Sequence, residues 1–173
     1  MIMVTSRGFT LIELLVTLSV ASILLAMAVP SYRVFVQDSL ILTQSNSFSS
    51  AMMLAKSEAV KRSSPATICP STNGTGCTGG TVWSNGWLVF ADTNSDGAVD
   101  AGEQILQVSA ALAGGNTLNS GARNRVTYAA SGYTIGFADT FSLCDNRGAA
   151  MSRGIILNNQ GRLRTVTGGG TCS

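Results

Sequence analysis

Residues 9–29 are predominantly apolar, and Glu13 is the single charge among those 21 positions. A run of that length and composition predicts a helix able to span a bilayer, and Arg7 stands before it as the positive-inside tendency asks. Further on, the apolar positions thin to one face. Ile41, Phe48, Met52, Ala55 and Ala59 follow steps of 7, 4, 3 and 4, the spacing of a helical stripe that packs on a core. Pro30 lies between the two stretches, and because helical spacing resumes after it, a kink is expected rather than an end. Lys61 and Arg62 suit the negative end of the helix, and Pro65 stops it.

After Pro65 the period changes from helical to short apolar runs set between Gly, Asn and Ser clusters. The runs "ATICP", "GWLVFA", "QILQVSAAL", "RVTYAA", "GYTIGFA", "TFSLC", "RGIILN" and "GRLRTV" predict strands, with hairpins around residues 131–132 and 159–161. A meander of strands packed by one helix is an α+β arrangement.

Composition sharpens this. The chain has 173 residues, 45% hydrophobic and only 12% charged, with no histidine. The last point removes histidine triads, histidine bases and histidine metal ligands. No nucleophile elbow or paired-carboxylate signature calls for catalysis either. Charge is unevenly spread: residues 66–120 hold Asp92, Asp96, Asp100 and Glu103 without a base, a net −4. Residues 121–173 hold Arg123, Arg125, Arg147, Arg153, Arg162 and Arg164 against Asp139 and Asp145, a net +4 with no lysine. Arginine is the cation suited to bidentate phosphate contact and to stacking on bases, although a solvated sheet surface would look the same. The four cysteines, Cys69, Cys77, Cys144 and Cys172, lack metal-site spacing and allow three disulfide connectivities. Cys69 and Cys77 bracket a short loop and are natural partners, which leaves Cys144 with Cys172 and an oxidising compartment.

The N-terminal segment does not read as a cleaved secretory signal, whose apolar core is shorter and ends in a small-residue site. Nor does a plain anchor carry a carboxylate near its start without a partner. Gly8, Phe9 and the following "TLIEL", with Glu13 fifth after the glycine, resemble the type IV pilin family, which includes type II secretion pseudopilins. The resemblance implies cleavage by a prepilin peptidase between Gly8 and Phe9, methylation of Phe9, and a mature chain of 173 − 8 = 165 residues. It gives Glu13 an assembly role, pairing with the N-terminal amine of a neighbouring subunit. It implies a pilin fold, a long N-terminal α-helix packed on an antiparallel β-sheet head. The segments are then a leader (1–8), a transmembrane and filament-core helix (9–29), an amphipathic continuation (30–64) and a β-rich head (65–173). A single-pass inner-membrane protein with a periplasmic head, later part of a filament at the cell surface among other pilins and minor pilins, follows from the same resemblance.

The stretch "GWLVFADTNSDGAVDAGEQIL" with the strand-rich C-terminal part resembles the FimT/GspH branch of minor pilins and pseudopilins. Within it, "DTNSDGAVDAGE" matches the calcium-loop pattern: Asp92, Asn94 and Asp96 at positions one, three and five, Gly97 at six. Ala98 offers its carbonyl at seven, Asp100 stands at nine and Glu103 at twelve. The strand-like "WLVFA" before it departs from an EF-hand, and an acidic turn loop uses the same residues.

Near the C-terminus, "GRLR" resembles the G-R-x-R element of DNA-binding FimT-type minor pilins at Gly161, Arg162 and Arg164. On a strand the two arginines project from one face and Leu163 from the other, with Gly161 bringing backbone close to a ligand. Arg153 is expected to extend the patch, and Arg123, Arg125 and Arg147 are further candidates. The "TGGG" at 167–170 reads either as a flank offering backbone N–H groups or as a flexible tail. The resemblance implies phosphate contact without base readout and uptake of DNA in natural transformation. A structural minor pilin that primes assembly, or a secretion pseudopilin, with no DNA role, is the competing reading.

Overall fold

The computed structural model describes residues 8–172; the expected leader, apart from Gly8, lies outside them. Contacts divide the chain into two compact units, Met1–Asp38 and Ser39–Ser173. A single helix, α1 (Leu11–Arg62), begins in the first and ends in the second, with Pro30 inside it.

In the first unit the described side chains of α1 are exposed almost throughout, with Leu11 81% accessible, as is Phe9 just before the helix. The helix is long and apolar enough to cross a membrane. Thr10 begins it: Glu13 N–H donates to Thr10 Oγ1 at 3.3 Å. The Thr-Leu-Ile-Glu order is that of a capping box, in which a carboxylate three residues on also suits the positive helix end.

In the second unit the expected stripe is the buried one: Ile41, Phe48, Met52, Ala55 and Ala59 all face the core, joined by Ala51, Gln44 and Ser45. Alanine at 51, 55 and 59 lets the helix backbone come close to what it covers. Eight strands follow: β1 (Ala66–Pro70), β2 (Trp87–Ala91), β3 (Ile105–Ser109), β4 (Thr117–Ser120), β5 (Val126–Tyr128), β6 (Asp139–Cys144), β7 (Arg153–Leu157) and β8 (Leu163–Thr167). They form two four-stranded sheets, ordered β3-β2-β1-β5 and β4-β6-β7-β8, and every pairing is antiparallel.

β1 and β2 are buried at every position. Their sheet is covered on both faces, which is why they read as continuous apolar runs rather than alternating ones. One face joins the main core under α1; the other buries Cys69, Leu88 and Phe90 with Cys77, Val99 and Ile105. The four cysteines are paired as spacing suggested, Cys69 with Cys77 and Cys144 with Cys172. The second bond fastens the C-terminus to the end of β6.

One expected strand is absent and one unexpected strand is present, each for an identifiable reason. "GYTIGFA" is not a strand. Gly132 and Gly136 take φ of 78° and 85°, and Thr134 spends its backbone N–H and hydroxyl on the carbonyls of Asn159 and Asn158. The turn at 131–132 exists, closed by Gly132 N–H to Ala129 O at 2.8 Å, but no second strand follows it. β4 is a strand that apolar patterning does not reveal: in "TLNS" only Leu118 is apolar, and it is buried together with Ser120.

The aromatic junction of the core is Phe48, whose ring centroid lies 5.5, 5.2 and 5.0 Å from those of Trp83, Trp87 and Phe141. Phe48→Ala is expected to lower unfolding free energy by about 3–5 kcal/mol. Met53→Ala, on the exposed side of the same helix, is expected to change it by less than about 0.5 kcal/mol. Urea unfolding of the two variants checks the contrast.

Candidate nucleic-acid interface

The hairpin joining β7 to β8 has its own logic. Asn158 N–H donates to Arg162 O at 3.2 Å, carrying the β7–β8 ladder one pair past the strands, and Gly161 N–H closes the turn onto Asn158 O at 2.9 Å. The three intervening residues end on Gly161 with φ 68°, the left-handed position that three-residue hairpin loops require. Asn158 also accepts the Arg162 N–H on Oδ1 at 2.8 Å. From α1, Lys56 Nζ donates to Gly161 O at 3.0 Å and to Gln160 O at 3.4 Å. Lys56 was not singled out by sequence: it lies over 100 residues away on a helix whose cations had a sufficient local explanation.

Gly161 is buried, and a Cβ there would stand 2.3 Å from Gly132 O and 3.0 Å from Tyr128 Cε1. Its glycine character serves this internal approach of backbone to backbone, which corrects the expectation of an approach to a ligand.

Register decides which arginines share a face. Leu163 pairs with Leu157, Arg164 with Ile156 and Arg153 with Thr167. Leu157 and Ile155 are core, so their face points inward and that of Ile156, Asn158, Arg162 and Arg164 points out. Leu163 packs against the core as expected. Ile156, Asn158, Arg162 and Arg164 line one open groove of ≈ 290 Å³. Both guanidinium groups are exposed and have no hydrogen-bond or ion-pair partner among the described residues. β8 is an edge strand, and charge there also deters pairing with other chains.

The remaining arginines go elsewhere. Arg153 has the inward parity of Ile155, is half-buried, and donates from a guanidinium nitrogen to Thr167 Oγ1. The structure therefore does not bring it into the groove. Arg147 pairs with Asp145 at 2.7 Å. Burial acts to raise that carboxyl, but the hydrogen bonds from Arg147 win and hold it below the ordinary aspartate value. Arg125 lies over Gly97 and donates to Asp96 O at 2.6 Å. Arg123 offers its carbonyl to Trp83 Nε1 and to the Ser120 hydroxyl. The tail at 167–170 is neither a free flank nor a loose end. Gly168 N–H donates to Ser152 O, Gly170 N–H to Ser152 Oγ, and Thr171 N–H to Ser142 Oγ.

The acidic loop at 92–103 links adjacent strands β2 and β3, with Ala91 N–H to Gln104 O at 3.0 Å closing its neck. Its carboxylates are occupied by the loop itself. Thr93 N–H and Asp100 N–H donate to Glu103, Ala98 N–H to Asp96, and Asn94 Nδ2 to both Asp96 Oδ2 and Asp100 Oδ2 at 3.0 Å. Among the described residues no three acidic or cysteine side chains close on a common centre. Asp92 differs from the others. It is fully buried, Oδ2 accepts from Thr67 Oγ1 and Gly97 N–H, and Oδ1 has no partner. Burial pushes its carboxyl above the ordinary range. The Thr67 hydroxyl and Gly97 N–H pull it back, while the charges of Glu103 and Asp96 push it further up.

Among known proteins, the family model described as type II transport protein GspH matches residues 44–161, and the prokaryotic N-terminal methylation motif matches residues 3–29. No curated protein shows a significant match. Among solved structures, the chain is similar to the type IV minor pilin FimU of Pseudomonas aeruginosa strain PAO1 in two crystal forms. One has a TM-score of 0.62 at 18% identity over 78% of this chain and 93% of that one. The other has a TM-score of 0.58 at 18% identity over 73% and 93%. That likeness is one of fold, a long N-terminal helix against antiparallel sheets. The matched family segment stops at Gly161, one residue before Arg162.

Gly161→Ala adds backbone strain to a clash with the Gly132 carbonyl, and is expected to lower stability by about 2–4 kcal/mol. Gly136→Ala, at a similar φ but with open space around it, is expected to cost about 1–2 kcal/mol from backbone strain alone. Thermal unfolding of the two variants measures the difference.

Proposed function

Since the chain belongs to the family of the type II transport protein GspH and carries the N-terminal methylation motif, we propose that it is a minor type IV pilin whose head holds DNA through Arg162 and Arg164. The single observation that carries this reading is the groove on the outer face of β7 and β8. There two arginines stand side by side with no partner of their own among the described residues. Guanidinium groups so presented suit phosphate oxygens bidentately. Ile156 is apolar and Asn158 spends its side-chain oxygen on the Arg162 N–H, so the other lining offers little for reading base edges and the contact is to backbone, independent of sequence. That is the recognition wanted for uptake of DNA of any origin in natural transformation.

The platform follows from the other end of the chain. A prepilin peptidase cuts after Gly8 and Phe9 becomes the methylated N-terminus. The apolar helix holds the subunit in the inner membrane with its head in the periplasm until it joins other pilins in the filament. Glu13, in the first turn of α1, meets the terminal amine of a neighbour there. The family's description as a transport protein favours a second reading. In it the subunit primes a pilus or serves in a type II secretion pseudopilus, and the arginines only guard an edge strand.

The full chain in detergent is to be titrated with labelled duplex DNA across a salt series. Affinity is expected to fall with salt at a slope near −0.9 per phosphate neutralised. Replacing Arg162 and Arg164 with Gln is expected to abolish binding at physiological salt. In cells the double variant is expected to lose transformation while piliation persists. Undiminished DNA binding by a folded double variant overturns the proposal. Loss of piliation or secretion on deleting the gene, with transformation unaffected by the double variant, establishes the second reading.

A further inference from the structure

We propose that the loop at 92–103 is a calcium site carried on a β-hairpin, with Asp92, Asn94, Asp96, the Ala98 carbonyl, Asp100 and Glu103 as its oxygen ligands. Spacing alone does not carry this, because acidic turns are common. The observation that does is Asp92. Its side chain is wholly buried at the mouth of the loop. Oδ2 is held between the Thr67 hydroxyl of β1 at 2.6 Å and the Gly97 N–H inside the loop at 3.1 Å, and Oδ1 is left with no donor. A buried carboxylate oxygen without a partner is costly, and no protein donor among the described residues answers it.

The surroundings fit a hard divalent cation. Asp96 and Asp100 each bring an oxygen to within 3.0 Å of the same Asn94 nitrogen. Two acids are thus already gathered around one electropositive point. Half a turn of that amide gives up the bond its Oδ1 accepts from Asp96 N–H at 3.2 Å and puts Oδ1 where the N–H groups stood, and a cation then takes over the role of holding the two carboxylates together. Glu103 stands near both ends of the loop, accepting from Thr93 and Asp100 N–H groups. The Ala98 carbonyl accepts no hydrogen bond from the described residues. Calcium takes six to eight such oxygens in flexible geometry, whereas magnesium demands a tighter octahedron. The frame is held by the sheet: β2 and β3 pair on either side, and Val99 packs with Phe90 and Ile105 beneath. Only the ligands, not the strands, have to move.

The test uses the full chain in detergent, stripped with a chelator and melted in 0, 1 and 10 mM CaCl₂, with MgCl₂ as control. With a dissociation constant of roughly 10⁻⁴–10⁻³ M, 10 mM calcium is expected to raise Tm by roughly 3–10 °C. Calorimetric titration is expected to give about one calcium per chain. Glu103→Gln removes the twelfth-position carboxylate and is expected to abolish most of the rise. Asp100→Asn, at an exposed position whose side chain accepts from Asn94, is expected to weaken it severalfold and covers the case in which Glu103→Gln fails to fold. A flat response of the native chain overturns the proposal, as does an equal response to magnesium or an undiminished response in both variants.

Discussion

The head depends on the burial of one helical aromatic between two sheets. Phe48 is fully buried and meets Trp87 of β2 on one sheet, Phe141 of β6 on the other, and Trp83 in the connection between β1 and β2. The two small antiparallel sheets share no strand ladder; one isolated bridge, Val82 with Asn119, and its neighbouring backbone hydrogen bonds tie β4 to the β1–β2 connection, and side-chain packing does the rest. Edge-to-face rings supply both the area and a preferred geometry. The alanines one turn and more further along α1 let the helix lie close enough for this contact to form.

From that junction the position of the arginine groove follows. β6 brings β7 into the sheet, β7 sets β8 at the edge, and register sends Leu157, Leu163 and Ile155 inward. Arg162 and Arg164 then have nowhere to go but out. The turn between the strands is held from three sides: by its own Asn158, by Thr134 from the preceding loop, and by Lys56 from α1. These bonds fix the backbone at the start of β8, while the exposed side chains of Arg162 and Arg164 extend beyond it.

The charges of the head are sorted as much as they are displayed. Arg147 is spent on Asp145, Arg125 on the backbone of the acidic loop, and Arg153 on Thr167. With Arg123 half-buried as well, the six arginines of the last third come down to one exposed pair on one sheet, and four acids lie in one loop at the edge of the other. Each stands on a hairpin whose strands are braced by the core.

The sequence by itself determined the elements whose signal is local. Twenty-one residues with one charge form a membrane-length helix whatever follows, and the stripe from Ile41 to Ala59 faces the core because helical geometry puts it on one side. Seven of the eight strands lie on runs that strand patterning marks, and the Cys69–Cys77 pair brackets a short loop, which leaves Cys144 for Cys172. Tertiary structure decided the rest. β4 is a strand because β6 offers it an edge, not because "TLNS" is apolar. "GYTIGFA" is a loop because Thr134 gives its hydrogen bonds to the β7–β8 turn and its neighbours bond locally. Arg153 and Arg164 look alike along the chain, but one residue of parity across a sheet with a core on one side sends them to opposite faces. Local pattern records what a segment can become; which neighbour it pairs with, and hence which way each charge points, is set by contacts far apart in sequence.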